Sequence, residues 1–313
     1  ATGSGSANAQ AYSSYGGFNL RSANTTSQAI SIVGDASGVT GSATSLGINQ
    51  SGVIQASGAG GSIYMLGKGS SQSGYSLGSG IGGSVVARSG SITLIGDNSS
   101  PTLEGLNIGG LTLGADASTA VTSSSSNITL KGNQFNLNNT ATFNTTGTVS
   151  VLSLDASNSF GSAQTFGSNW SFGSGVSGLT IGKSSNTANL TLGTTIGITG
   201  PITIYGGAVT LNAGLSTSST SLGDVNITAT GLFGGGGIGL AAGRKLTVTQ
   251  SGTSGYNGLI SGVNATLTKL GTGNLGLTNA NTYSGGTTLT AGTLGAYDSS
   301  AFGSGTVYAA DGT

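Results

Sequence analysis

Val225-Asn226-Ile227-Thr228 and Lys245-Leu246-Thr247-Val248-Thr249 alternate an apolar side chain with a polar or hydroxyl one at every step. That period of two marks a strand with one buried face. The pattern recurs on either side: Ile92-Thr93-Leu94, Leu111-Thr112-Leu113, Ile128-Thr129-Leu130, Val149-Ser150-Val151, Leu190-Thr191-Leu192 and Ile202-Thr203-Ile204. Thr-x-Thr units begin at Thr228, Thr247, Thr266 and Thr288, at intervals of 19, 19 and 22; upstream, Thr93, Thr112, Thr129 and Val151 give 19, 17 and 22. A spacing near twenty predicts stacked coils. The expected fold is all-β, a right-handed parallel β-helix (solenoid) of about fifteen coils over residues 29–313. A sandwich or antiparallel barrel is the structural alternative.

Composition agrees with that reading. Of 313 residues, 61 are Gly, 50 Ser, 43 Thr and 23 Asn, more than half the chain. Such a mixture can mean a linker, but disordered chains pair low hydrophobicity with high charge and many prolines. Here 35% of residues are hydrophobic, 5% are charged and two are proline. A solenoid needs Gly and Asn at its sharp corners. Stacking puts like above like, so hydroxyl and amide rows gain hydrogen bonds where like charges would repel.

The same numbers exclude several functions. Eight basic residues balanced by eight acids offer no cationic face for nucleic acid. With no His and no Cys, zinc, haem and thiol chemistry and Ser-His or Cys-His catalysis are all removed, and no metal or cofactor is expected. Only carboxylates could carry catalysis, as in the β-helical polysaccharide lyases and hydrolases. Asp97, Glu104 and Asp116, flanked by Arg88 and Lys131, are the closest grouping. Most of the acids occupy turn positions, where an Asx-turn is their ordinary use. Gly234-Gly235-Gly236-Gly237-Ile238-Gly239 lacks the closing Gly-Lys-Ser/Thr of a phosphate loop and reads as a turn.

One segment is more specific. Leu267-Thr268-Lys269-Leu270-Gly271-Thr272-Gly273, Leu275-Gly276-Leu277, Asn281-Thr282-Tyr283-Ser284-Gly285-Gly286-Thr287 and Gly292-Thr293-Leu294 follow one another in 28 residues. Together they resemble the autotransporter-associated β-strand repeat of type V secreted proteins of Gram-negative bacteria. Residues 160–214 are more loosely similar to filamentous-haemagglutinin-like surface proteins. Both resemblances imply an extracellular or outer-surface passenger rod, exported with the help of an outer-membrane translocator. No outer-membrane barrel sequence follows residue 313 and no Asn-Pro-Asn motif occurs, so a fragment of something longer, or a separate export partner, is expected.

The expected function is therefore structural or adhesive and not enzymatic. Partners would be further copies of the chain, joined head to tail or laterally, and surface glycans. Thr228, Thr247, Thr266 and Thr288 are the expected contact row, and Trp170 is an aromatic that either stacks on sugar or fills the core. Residues 1–28 lack the later rhythm and read as an N-terminal cap or docking arm, with Tyr12, Tyr15 and Phe18 as its contacts.

Overall fold

The computed structural model describes residues 9–14, 19–38, 45–69, 77–78, 83–98 and 105–310. No helix occurs among them, and every ladder, from the first strands to the last, is parallel. Neighbours in each sheet come from successive coils, so the chain is a parallel β-helix. It divides into two compact units, residues 1–162 with 169–176, and residues 163–168 with 177–313.

The first unit winds through three faces. The first holds Ala9–Ser14, Ser45–Gln50, Leu77–Gly78, Leu106–Asn107 and Phe135–Asn136. The second holds Asn19–Ser22, Gly52–Ala56, Gly83–Ala87, Leu111–Gly114, Ala141–Asn144 and Trp170–Phe172. Ile30–Asp35, Ile63–Gly69, Ile92–Asn98, Ile128–Gly132 and Thr148–Leu152 make the third. Alternation places Ile30, Ile63, Ile92, Ile128 and Val149 in one buried row, with Ile32, Met65, Leu94, Leu130 and Val151 in the next.

In the second unit, seven strands stack from Gly178–Ile181 through Ile202–Tyr205, Val225–Ala229, Lys245–Gln250, Thr266–Leu270 and Gly286–Leu289 to Val307–Ala309. Two four-stranded sheets and one of three strands close the other sides. Leu179, Ile202, Val225, Leu246 and Leu267 form its buried row.

Coil length differs between the units. Aligned positions Leu179, Ile202, Val225, Leu246, Leu267, Thr287 and Val307 are 23, 23, 21, 21, 20 and 20 residues apart. In the first unit, Ile30, Ile63, Ile92, Ile128 and Val149 are 33, 29, 36 and 21 apart. The upstream spacing near twenty counted two strands of one coil as two coils. Thr93 pairs with Thr129, whereas Thr112 lies on another face and pairs with Thr142. Longer coils mean fewer of them, and about fifteen is too many. The described part of residues 1–28 is coil too: Ala9–Ser14 pairs with Ser45–Gln50, and Asn19–Ser22 with Val53–Ala56.

Candidate functional site

A chain of this composition presents rows of small polar side chains, and the register shows which residues share a row. Thr180, Thr203, Asn226, Thr247, Thr268, Thr288 and Tyr308 are stacked in that order on the second unit. Of the four expected contact residues, only Thr247 and Thr288 belong to that row. Thr228 pairs with Thr249, and Thr266 sits between Lys245 and Gly286. All four are half-buried. Each Thr-x-Thr unit holds two Thr on the same side, so a ruler laid on the first Thr slips by two residues and keeps the right face while losing the row.

On the first unit the third face carries three outward rows. Tyr64, Thr93, Thr129 and Ser150 form a hydroxyl row, and Val33, Leu66, Ile95, Lys131 and Leu152 a mainly aliphatic one. Lys68 stands between Asp35 and Asp97 in the third, so opposite charges alternate where like charges would repel. These pairs are open to water; Lys68 Nζ is 4.0 Å from Asp35, and such surface contacts contribute at most about 1 kcal/mol.

Trp170 is core. It is 3% exposed, with its ring stacked on Phe143 at 5.8 Å and 4° and edge-on to Phe135 at 6.0 Å. Phe172 continues the stack, 4.9 Å from Phe143. Its sugar-stacking role is thereby corrected: a ring 3% exposed and packed against three phenylalanines presents no face to a ligand. Tyr12 lies in the strand Ala9–Ser14, opposite Ile48. Tyr15 and Phe18 lie outside the described residues.

The glycine run at 234–239 packs directly on the preceding coil. A Cβ at Gly236 would lie 2.1 Å from the Ala213 carbonyl oxygen. Its N–H is already donated to Leu211 at 2.8 Å, and its carbonyl accepts the Tyr256 hydroxyl. A close coil-to-coil approach uses these groups, which leaves no cradle for phosphate. Among the carboxylates, Asp97 is on the third face, whereas Asp116 follows a second-face strand and accepts from Ser84 and Ser118. Burial pushes the Asp116 carboxyl up, but those hydrogen bonds outweigh it and hold it below its ordinary value. Glu104 lies outside the described residues, and no cluster of three metal-ligating side chains occurs among those described.

The segment 267–294 hides a set of inward polar pins that the periodicity gave no reason to expect. Lys269 occupies a core row between Val248 and Leu289 and is 0% exposed. Its ammonium donates to the carbonyls of Leu270 at 2.8 Å and Gly271 at 2.9 Å in its own coil, and to that of Ala291 on the next at 3.4 Å. Asn281 accepts from Ile260 N–H at 2.7 Å and donates to Ala301 at 2.6 Å. Tyr283 and Thr287 share a hydroxyl contact of 2.5 Å, and Thr287 donates to Phe302 at 3.0 Å. Each pin joins neighbouring turns in the interior, where an unpaired polar group would cost about 1 to 3 kcal/mol.

These pins predict a pH profile. Burial raises the Tyr256 phenol, and raises Tyr283 to about 12 despite the Thr287 contact. Above about pH 10 the unfolded chain releases tyrosine protons that the folded chain keeps, so stability falls as pH rises. Burial lowers the Lys269 ammonium, so its contribution rises with pH and stops near the unfolded lysine value of about 10.5. With no histidine, stability should be flat between about pH 6 and 8 and drop above about pH 10.5. Urea midpoints across that range check this; Tyr283→Phe should flatten the alkaline limb, and a steep change between about pH 6 and 8 would contradict it.

Comparison with protein families, with curated proteins and with solved structures returns no match for this chain.

Proposed function

We propose that this chain is an extracellular β-helical scaffold, a passenger segment of a surface protein secreted by Gram-negative bacteria. Its work is structural and adhesive, and it performs no catalysis. The observation that carries the reading is the outward register. Successive coils present like residues in rows, as in Thr180, Thr203, Asn226, Thr247, Thr268 and Thr288, a repeated surface suited to lateral contact with further copies or with glycans. The resemblance at 267–294 supports the secreted context, and the scarcity of charge suits stacking.

Sedimentation and negative-stain microscopy over a concentration series test the assembly. Concentration-dependent fibres or elongated oligomers are expected, and a strictly monomeric globular particle at the highest concentration would overturn it. Release of reducing ends from a polysaccharide panel, abolished by Asp97→Ala, would replace the scaffold reading with an enzymatic one.

A further inference from the structure

We propose that a groove at the corner between the second and third faces of the first unit binds a carboxylated sugar, with Arg88 as the cation that receives its carboxylate. The groove encloses about 600 Å³ and is lined by Arg88, Thr122, Ser123, Ser125, Asn144 and Gly175 among others. This goes beyond the scaffold reading, which stands whether or not the groove is occupied.

The site is built from excess chain. The 36-residue coil from Ile92 to Ile128 spends its extra length on an arm over 115–127. Asp116 folds the base of that arm by taking Ser118 N–H at 2.8 Å, while its own N–H bonds Val121 at 2.9 Å. Ser124 and Ser126, both buried, donate to the Ala87 carbonyl at 2.7 and 2.8 Å, and Thr145 donates to Ser126 at 2.7 Å. The corners then stack, with Arg88 N–H on Ala56, Ser125 N–H on Arg88 and Thr146 N–H on Ser124. A wall fixed by so many bonds is ordered before any ligand arrives, which lowers the cost of binding.

Charge and hydroxyl supply choose the ligand. Arg88 is held by Nε to the Ser57 carbonyl at 3.0 Å and by a terminal nitrogen to Ala120 at 3.4 Å. A guanidinium has five donor hydrogens, so most of its fork is unspent. Among the described residues no carboxylate pairs with Arg88, unlike Lys68, Lys131 and Arg244, and none lines the groove. The exposed hydroxyls of Thr122, Ser123 and Ser125 have no protein partner among the described residues and can both donate and accept. A planar anion that brings its own hydroxyls matches this set: bidentate on arginine, with the rest of the ring bonded to the serine wall. Three coil spacings of ~4.8 Å make the groove roughly 14 Å long, enough for a short oligosaccharide. An acidic peptide would find the cation but brings no hydroxyls of its own to the Thr122, Ser123 and Ser125 wall.

Titration calorimetry of the full chain with trigalacturonate at low salt tests the assignment, with maltotriose and triglutamate as comparison probes. Saturable binding of trigalacturonate is expected, with at least about tenfold weaker binding of both others and of Arg88→Gln. Because Arg88 also braces two carbonyls, Ser123→Asp is the second variant. It adds an anion where no existing bond is lost, and it should abolish binding without changing the urea midpoint. No binding of trigalacturonate, equal binding of maltotriose or triglutamate, or unchanged binding by Ser123→Asp would each overturn the proposal.

Discussion

Trp170→Ala should lower the unfolding free energy of the first unit by about 3 to 5 kcal/mol, the usual cost of truncating a large aromatic in a close-packed core. The indole is 3% exposed and lies parallel to Phe143, with Phe172 at 6.3 Å and Phe135 across its edge. Removing it takes away buried apolar area and leaves Phe143 without one stacking partner, a further loss of about 0.5 to 1.5 kcal/mol within that total. Trp170→Phe keeps the stack and should cost less than half as much. Far-UV circular dichroism in urea is the suitable readout, because the variant removes the chain's one tryptophan and with it the fluorescence signal. A loss below about 1 kcal/mol would mean that the ring is not packed as described.

Gly234→Ala should be nearly as damaging in the second unit, at about 3 kcal/mol. Gly234 has φ +100°, where an L side chain is strained by about 1 to 3 kcal/mol. Its added Cβ would also fall 2.1 Å from the Leu211 carbonyl oxygen, backbone that belongs to the previous coil and can move only if the coils part. Overpacking of that kind adds about 1 to 3 kcal/mol. Gly243→Ala is the informative comparison. It too has positive φ, +72°, but nothing lies within 4 Å of its added Cβ, so it isolates the backbone strain. Equal melting temperatures for the two variants would show that coil spacing does not depend on the close approach.

What could be read from the chain divides along the same physical lines. Alternation reveals which residues face inward, and Ile128, Leu130, Val225 and Ile227 lie buried as that pattern requires. Spacing reveals coil length only where consecutive matches fall on one face, which holds from Leu179 onward. It fails near Thr93, Thr112 and Thr129, because Leu-Thr-Leu suits a strand on either face of the same coil. Register is harder still, since neighbouring Thr residues in one strand are chemically alike and only the stacked rows distinguish them. Lys269 was visible as part of a motif, but a lysine among alternating Thr and Leu gives no sign that its ammonium turns back to carbonyls inside the core. Arg88 is equally opaque from sequence. The sequence shows a basic residue, whereas the groove arises from an arm that a 36-residue coil alone leaves room for.

Coil stacking in this register is the claim on which the rest depends, and paired cysteines test it directly because the native chain has none. Thr247→Cys with Thr268→Cys places the two thiols on directly opposed residues of adjacent coils, ~4.8 Å apart at the backbone and within disulfide range. Thr247→Cys with Thr266→Cys moves one thiol two residues along the strand, a shift of about 6.6 Å that takes it out of range. Under mild oxidation the first pair should close intramolecularly in the folded protein and the second should remain as free thiols. Closure of the second pair in preference to the first would contradict the stacked register.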